Sequence, residues 1–445
     1  MTTRYHARWV CPVAAAPVRD GTVVEHFGRI AFVGPRNAAP AGGDDVDLGD
    51  AILVPGLVNA HCHLELTAMR GFLDDLAFRE WILRLTAARR AVLTAEMLLD
   101  AARLGVVEGL RHGITTFADT GDTGAGFDAM LEMGVRGICF REVFGPDPAQ
   151  CDGAISELEA KIDAMLPRVT SLVHVGVSPH AAYTVSDALF RATASLAKTR
   201  ALPLAVHVAE SAIESELVEQ GGGAFAAGLR ARDIAVAPRA RSPIALLEAL
   251  GVLEVRPLLI HCVRVDAEDI RAIARHDCAV AHCPASNARL GHGIAPLVAL
   301  LDATIRVGIG SDSVASNDRM DLLDESRTAA LFANAREQRH DAVPAGRALA
   351  LATIGGARAL GLNREIGTLE AGKAADLTAF AIPRDRMPVH DPVAALIHAI
   401  AGQRADFVCV AGRVRVRSGR LLDGDDALPD RVQESADLLQ RWRAQ

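Results

Sequence analysis

Two histidines separated by one residue end an apolar run near the start of the chain. His61 and His63 close the run 57–63, which follows Pro55 and Gly56. Side chains two residues apart on a β-strand project from the same face. Two imidazoles side by side at the end of a buried strand are typical of half a metal site. The alternative is a pair of surface histidines where a strand meets a loop, and this short motif alone leaves both open.

Histidines and acids recur at the ends of later apolar runs. They are His180 after the fourth run, His207 and Glu210 at the fifth, His261 at the sixth, His282 at the seventh and Asp312 at the eighth. In parallel barrels, chemistry gathers at the C-terminal ends of the strands. Chance placement would scatter these residues, so the recurrence favours a functional site over surface histidines.

The elements that must position these side chains alternate between strand and helix over residues 56–365. The eight β-rich runs are 57–63, 113–118, 137–143, 173–178, 204–207, 258–261, 279–283 and 307–311. Between them, stretches such as 94–108 and 186–197 repeat apolar residues at helical spacing. Eight such units predict an α/β fold, a (β/α)₈ TIM barrel. The alternative is a doubly wound open sheet, but no Gly-x-Gly-x-x-Gly loop follows an early strand.

Both ends of the chain read instead as short strands separated by Gly, Pro and Asp turns. We predict a small β-sandwich built from residues 1–55 and 366–425, with the catalytic barrel of residues 56–365 inserted between its halves. Residues 426–445 are predicted to form a C-terminal helix.

Composition limits the function classes. The 445 residues are 50% hydrophobic and carry a formal net charge of -8, which argues against nucleic-acid binding. We find no apolar run as long as a transmembrane helix, and the first residues do not show the basic, apolar and small-residue order of a signal peptide. The eight cysteines include no Cys-x-x-Cys pair and are typical of reduced core cysteines. These features predict a cytoplasmic enzyme with a small-molecule substrate and no nucleic-acid or membrane partner.

The motifs together resemble the amidohydrolase superfamily: His-x-His after the first strand, histidines at the fifth and sixth, Asp at the eighth, and the closing segment 367–377. The resemblance implies one divalent metal ion, Zn²⁺ first with Fe²⁺ as the alternative, held by His61, His63, His207 and Asp312. Some members hold two metals bridged by a carboxylated lysine from the fourth strand. The only lysines here are Lys161, Lys198 and Lys373, and His180 stands at that strand end instead.

The resemblance also implies a mechanism. A divalent ion lowers the pKa of its bound water toward about 7, and Asp312 both ligates the ion and accepts the proton. The matching Glu in the deaminases of this family, here Glu210, protonates a ring nitrogen and then the leaving amine, and His261 orients the water. Other interpretations are that Glu210 is a solvated acid at a helix N-terminus and that His261 is a metal ligand. The predicted reaction is hydrolytic deamination with release of ammonia.

The loop at 66–81 resembles adenosine-type deaminases, which include the thioadenosine and S-adenosylhomocysteine deaminases and the aminodeoxyfutalosine deaminases of menaquinone synthesis. Trp81 is expected to stack on or wall off the ligand, with a core Trp as the alternative. His180 matches a residue that contacts the base or its sugar, with a packed histidine as the alternative.

One departure bears on the substrate. The S-adenosylhomocysteine group has a Glu that holds the ribose diol, and the segment 85–90 lacks it. This segment and His63–Leu66 resemble the aminodeoxyfutalosine deaminases, so we favour that substrate, with Arg141, or else Arg89 or Arg90, pairing with its benzoate.

Several alternatives stay open. Other substrates are methylthioadenosine, S-adenosylhomocysteine, guanine and a chlorinated triazine. A two-metal cyclic-amide hydrolase and a catalytically silent barrel that acts as a binding or assembly protein are the other classes. The superfamily also implies a homodimer or larger homo-oligomer.

Overall fold

The computed structural model describes residues 2–444. The chain begins with five strands: β1 (Thr2–Val10), β2 (Val18–His26), β3 (Arg29–Pro35), β4 (Asp44–Asp47) and β5 (Ala51–Pro55). Eight parallel strands follow: β6 (Leu57–Cys62), β7 (Ile114–Gly121), β8 (Arg136–Val143), β9 (Val173–Pro179), β10 (Ala205–Val208), β11 (Leu258–His261), β12 (Ala279–His282) and β13 (Arg306–Ile309). Four late strands are β14 (Leu377–Ala381), β15 (Phe407–Val410), β16 (Arg413–Arg417) and β17 (Arg420–Leu421).

Most helices lie between the parallel strands. The first nine are α1 (Phe78–Val92), α2 (Ala95–Arg111), α3 (Ala125–Met133), α4 (Cys151–Met165), α5 (Asp187–Arg200), α6 (Ala212–Gln220), α7 (Gly223–Arg230), α8 (Pro243–Ala249) and α9 (Ala267–Arg275). The others are α10 (Pro284–Arg289), α11 (Leu297–Asp302), α12 (Val314–Asn317), α13 (Leu322–Glu337), α14 (Ala345–Ala350), α15 (Gly356–Ala359), α16 (Pro392–Ala395) and α17 (Leu428–Arg443).

The eight parallel strands close into a barrel through two narrow seams. Strands β6 to β9 form one four-stranded sheet and β10 to β13 another. A parallel bridge joins Val177 to Leu204 at one seam, and a second joins Cys62 to Asp312 at the other. At the second seam the Asp312 amide donates to the His61 carbonyl oxygen at 3.0 Å. The (β/α)₈ prediction is confirmed, and each predicted strand overlaps an observed one.

The barrel interior is filled by side chains of alternating size. Alanines from four strands face Ile138, Phe140 and Ile260 there, and all are buried; the alanines are Ala60, Ala118, Ala205, Ala279 and Ala281. Small residues opposite large ones let the layers interdigitate at the density of a folded core. The interior is therefore packed, and the polar ends of the strands remain at its rim.

The strands from both chain ends form one sheet in the order β17-β16-β15-β14-β5-β1-β2-β3, with β4 also against β1. Strand β2 pairs antiparallel with both β1 and β3. Strands β4 and β5 run parallel to β1 and pair with successive parts of its other edge.

This sheet curls onto itself to form the sandwich. Tyr5 on β1 and Phe407 on β15 are separated by two strands in the sheet, yet their ring centroids are 5.0 Å apart. A buried cluster that also includes Val23, Leu53 and Leu377 fills the space between the two faces. The predicted small sandwich is thus a single folded sheet.

The predicted helical stretches begin where their capping residues indicate. The Thr94 side chain accepts from the Met97 amide at the start of α2, and the Ser186 side chain accepts from the Leu189 amide at the start of α5. None of the helices among residues 2–444 is both long enough and apolar enough to cross a membrane.

A buried ion pair connects the barrel to the sandwich. Arg136 begins β8 and is 5% exposed; Asp376 precedes β14 and is 3% exposed. Arg136 Nε lies 3.0 Å from Asp376 Oδ2, and Arg136 Nη2 donates to Oδ1. The Ala411 amide also donates to this carboxylate, at 2.8 Å. Both charges are fully paired, so removing one leaves the other buried without a partner.

We expect Arg136→Met to lower the free energy of unfolding by about 3 kcal/mol, because Asp376 would stay buried and unpaired. Urea unfolding followed by circular dichroism measures this change. Arg413→Met, which removes an arginine from an exposed pair with Asp423, should leave the free energy almost unchanged. Equal effects of the two substitutions would contradict the assignment of the buried pair.

Candidate active site

Four side chains from the ends of three strands meet at one rim of the barrel. His61 Nε2 lies 3.2 Å and His63 Nε2 3.5 Å from Asp312 Oδ1. His207 Nε2 lies 3.4 Å from His63 Nε2. These are the four residues that the sequence predicts as ligands, and they converge although up to 251 positions separate them along the chain.

Backbone carbonyl oxygens fix how two of the imidazoles face this point. His63 Nδ1 lies 2.9 Å from the Thr120 carbonyl oxygen, and His207 Nδ1 lies 3.2 Å from that of His180. A carbonyl only accepts, so each Nδ1 carries the hydrogen and each Nε2 presents a lone pair. Two lone pairs that face each other at 3.4 Å suit a shared cation.

Burial keeps these imidazoles neutral. Burial, together with neighbouring imidazoles, lowers the pKa of His63 to about 3 and that of His207 well below the ordinary value. Burial alone would raise the pKa of Asp312, but the hydrogen bond with His61 and the nearby imidazoles hold it well below its usual range. Neutral imidazoles and an ionised carboxylate are the protonation states that bind a divalent metal.

Hydrogen bonds to one oxygen, Oδ2, fix the orientation of the Asp312 carboxylate. The hydroxyls of Ser286 and Ser316 both donate to Oδ2, the latter at 3.2 Å. Oδ1 therefore faces His61 and His63. Asp312 has φ +57°, a left-handed conformation that is strained for a residue other than glycine. Such strain, held in place by surrounding contacts, is frequent at functional sites.

Glu210 reaches the same rim from the turn between β10 and α6. The amides of Ala209 and Glu210 both donate to the Glu214 carboxylate, at 3.2 and 2.8 Å. Glu210 Oε1 lies 3.6 Å from His261 Nε2 and 3.2 Å from His292 Nε2. Burial opposes ionisation of Glu210, but the two imidazoles outweigh it and lower the pKa. The predicted proton-transfer group is therefore a buried, ionised carboxylate.

His261 is oriented by an amide. Its Nδ1 lies 2.9 Å from Asn287 Oδ1, so Nδ1 carries the hydrogen and Nε2 has a free lone pair. Its φ of +76° turns the residue out of β11. His261 Nε2 faces Glu210, and it also belongs to a triplet of possible ligand atoms with His61 and His207. Both predicted roles of His261, water orientation and metal ligation, stay open.

A cavity of about 830 Å³ is lined by His63, His207, Glu210, His261 and Asp312. Much of the remaining wall is apolar: Leu66, Phe78, Trp81, Ile82, Leu85, Phe144, Tyr183 and Leu290. The size suits a nucleoside-sized ligand. Trp81 stacks with Phe78 at 6.3 Å between centroids, and His180 lines the cavity with its Nδ1 2.7 Å from Thr184 Oγ1.

The arginine predictions have different outcomes. Arg141 does not line the cavity: it is buried, and its Nη2 donates to the Asp122 carbonyl oxygen at 2.6 Å. Its neighbour Glu142 lines the cavity instead. Arg89 does line the cavity, but its guanidinium pairs with Glu65 at 2.7 Å and also with Asp122. Arg90 lies at the cavity, exposed, and the described residues give it no ion pair.

Sequence reasoning missed several residues that hold the site. Ser286 and Asn287 lie in the run His-Cys-Pro-Ala-Ser-Asn after β12, a polar strand end that signals a supporting role. Glu214 gives only the weak signal of an acid in the first turn of a helix. His292 lies between two glycines, a sharp turn with an ionisable side chain at its centre. For Glu142, the only sequence feature is its alternation with Ile138 and Phe140, which puts the three side chains on one face of β8.

A parallel barrel with three imidazoles and a carboxylate gathered at its C-terminal rim is the arrangement of a metal-dependent hydrolase. The model of the amidohydrolase family matches residues 52–416. The chain belongs to this family and is a hydrolase that acts on carbon–nitrogen bonds, as its motifs predict.

Comparison with individual proteins gives the same family. The chain is 34% identical over 429 residues to the 5-methylthioadenosine/S-adenosylhomocysteine deaminase of Moorella thermoacetica, covering 94% of this chain and 95% of that protein. An adenosine deaminase from Xanthomonas campestris with bound zinc superposes with a TM-score of 0.88 at 29% identity, over 99% of this chain and 98% of that one. The aminofutalosine deaminase of Helicobacter pylori, in complex with methylthio-coformycin, has a TM-score of 0.80 at 20% identity, covers 93% of this chain and 99% of that one, and shares the fold.

We expect Arg89→Met to lower the free energy of unfolding by about 3 kcal/mol, because Glu65 would remain buried without its cation. Chemical unfolding of the two proteins measures the difference. Arg90→Met is the matched control on the next residue of the same helix, and its exposed guanidinium should contribute almost nothing. If Arg89→Met is as stable as the control, the ion pair does not stabilise the cavity wall.

Proposed function

We propose that this hydrolase is a divalent-metal-dependent deaminase of an adenine nucleoside. The observation that carries the proposal is that Glu210, His63, His207 and Asp312 all line one nucleoside-sized cavity, with His61 against Asp312. A group for metal binding and a group for proton transfer are the two requirements of hydrolytic deamination. Relatives named for adenine-nucleoside deamination support it over nearly the whole chain.

The metal proposal follows from the donor set. Three imidazole nitrogens and one carboxylate oxygen suit Zn²⁺, with Fe²⁺ as the alternative, and the relative from Xanthomonas campestris binds zinc. We propose one ion per chain, held by His61, His63, His207 and Asp312. When bound, such an ion polarises a water molecule and lowers its pKa.

The protein groups then move the protons. Water adds its oxygen to the amino-bearing ring carbon, and Glu210 takes a proton from it and passes it to the adjacent ring nitrogen. Asp312 accepts the second proton from the added oxygen, this proton reaches the amine through Glu210, and the carbon–nitrogen bond breaks. The products are a ring carbonyl and ammonia, so the atoms of one water are all accounted for. His261 Nε2 presents the lone pair that accepts a hydrogen from the water and orients it.

The apolar wall supports an aromatic base with a substituted sugar. Phe78 and Trp81 form a stacked surface in the cavity, and Tyr183 stacks on Phe225 at 4.1 Å. Burying a flat base against such rings is favourable. We propose that Trp81 lies against the ligand and that His180, at the cavity edge, donates or accepts a hydrogen bond with the base or sugar.

We place thioether nucleosides of the methylthioadenosine and S-adenosylhomocysteine type first. The apolar wall suits a thioether, and the relative from Moorella thermoacetica carries that name. Aminodeoxyfutalosine, the substrate favoured from sequence, is the second candidate. Its benzoate cannot use Arg141, which lies outside the cavity, and Arg89 is already paired, so of the three predicted arginines only the exposed Arg90 supports it.

The remaining predictions about the molecule's surroundings stay predictions. They are the cytoplasmic location, the absence of nucleic-acid and membrane partners, and a homodimer or larger homo-oligomer.

A panel of adenine nucleosides tests the proposal directly. Purified protein should release ammonia fastest from methylthioadenosine or S-adenosylhomocysteine, and more slowly from aminodeoxyfutalosine, adenosine and guanine. Coupled ammonia detection gives kcat/KM for each of these, and chloride release from a chlorinated triazine, measured separately, should be slower still. A preference for aminodeoxyfutalosine would reverse the order of the two candidates. Metal-loaded protein with no release from any adenine nucleoside would overturn the function and favour the silent barrel.

Two substitutions separate metal binding from proton transfer. His207→Ala should lose both bound metal and activity, whereas Glu210→Gln should keep the metal and lose roughly 100-fold or more in kcat. Metal analysis of the purified proteins should give one ion per chain in the wild type. His276→Ala removes a half-buried histidine paired with Glu248 on the outside of the barrel and should change neither property. Two ions per chain would instead favour a cyclic-amide hydrolase, and a fully active Glu210→Gln protein would exclude the proton-transfer role.

A further inference from the structure

A second buried histidine approaches Glu210, at the same carboxylate oxygen as His261. His292 lies in the loop between α10 and α11, is 7% exposed, and places its Nε2 3.2 Å from Glu210 Oε1. Within residues 2–444, His292 Nε2 makes no hydrogen bond of regular geometry, so its 3.2 Å approach to Glu210 Oε1 is an ion-pair contact. This ring is outside the set of residues that line the substrate cavity, so it reaches the reaction only through Glu210.

The loop is built to direct this side chain inward. Gly291 and Gly293 flank it with φ of +73° and +106°, conformations that residues with a Cβ rarely adopt. The His292 amide donates to the Asn287 carbonyl oxygen at 2.8 Å, which closes the turn. The Phe78 ring packs edge-on against the imidazole, with centroids 4.4 Å apart. Backbone and packing thus fix the ring from three sides.

Asn287 links the two histidines that face Glu210. Its side-chain oxygen accepts from His261 Nδ1 at 2.9 Å, and its backbone oxygen accepts from His292. Because His261 carries a hydrogen on Nδ1, the Nε2 of its neutral form offers Glu210 only a lone pair. An ionised carboxylate needs a donor, and His292 supplies one from its neutral form when its hydrogen lies on Nε2.

We propose that His292 is a positioning residue that holds the Glu210 carboxylate in the orientation for its proton transfers. The inference rests on the proposed deaminase function and extends it to a residue outside the substrate cavity. Glu210 moves protons between the added water, the ring nitrogen and the leaving amine, and a carboxylate free to rotate would miss these atoms. A displacement of about 1 Å costs roughly 100-fold in rate.

His292 also lines a second cavity of about 570 Å³, whose wall is mainly polar and includes Ser215, Glu216, Arg241 and Asp266. The imidazole therefore contacts both this polar space and Glu210, which lines the substrate cavity. A shorter side chain at position 292 would therefore both release the carboxylate and open it to a polar compartment.

The contact atom allows a sharp pair of variants. The amide nitrogen of glutamine superposes on histidine Nε2, whereas that of asparagine superposes on Nδ1. His292→Gln should therefore keep kcat within about 3-fold of the wild type, while His292→Asn and His292→Ala should lose roughly 10- to 100-fold. KM for the best adenine nucleoside should change by less than about 2-fold in all three, because His292 does not line the substrate cavity. Bound metal and the thermal unfolding midpoint should match the wild type.

A substrate with a different leaving group supplies the second readout. In the nucleoside that carries chloride in place of the amine, the departing group needs no proton, so the Asn variant should lose clearly less activity than it does with the amine. Equal losses on both substrates, or the same loss in the Gln and Asn variants, would overturn the positioning role. Losses that follow the unfolding midpoint would show a purely structural residue. Wild-type protein inactive on every adenine nucleoside would refute the proposed function itself, which distinguishes that failure from failure of the inference.

Discussion

Burial of three imidazoles and one carboxylate at a single point of the barrel rim is the constraint on which the site depends. Taking such groups out of water is costly unless each has partners. Here the partners are backbone carbonyls for His63 and His207 and serine hydroxyls for Asp312. They also decide which atom of each ring points inward, so the interactions that offset burial are the ones that create the ligand geometry. The barrel supplies these partners because neighbouring strand ends lie side by side.

Much of this arrangement follows from the sequence because it depends on local periodicity. Strands and helices alternate with clear apolar patterns, and the residues that end the strands must share one rim of a parallel barrel. The contact of His61 with Asp312 is therefore predictable without knowing any loop. Arg141 shows where this reasoning fails. Ile138 and Phe140 face the barrel interior, so Glu142 continues that face and Arg141 points away from it. When two adjacent strand residues are both charged, the sequence alone does not show which of them faces the barrel interior.

Long-range packing decides the features that periodicity does not. The sandwich strands are recognisable individually, but the sheet curls because Tyr5 and Phe407 meet across its core, and no local pattern encodes that contact. The parallel pairing of β4 and β5 with β1 likewise depends on which edge remains free after β1 pairs with β2. His292 escaped the sequence reasoning for a similar reason. Its position is set by two glycines with positive φ and by Asn287, and only the folded loop brings it to Glu210.

The groups for metal binding and the group for proton transfer are therefore positioned by different parts of the fold. The ligand set is anchored to strand ends, whose backbone is fixed by the barrel ladder and whose geometry tolerates little change. Glu210 is anchored by loops instead: Glu214 holds its backbone from α6, and His261 and His292 face its carboxylate. Loops vary more readily than barrel strands. The orientation of the proton-transfer group can then change while the metal ligands stay in place, which is a physical route by which one barrel floor serves different leaving groups and ring systems.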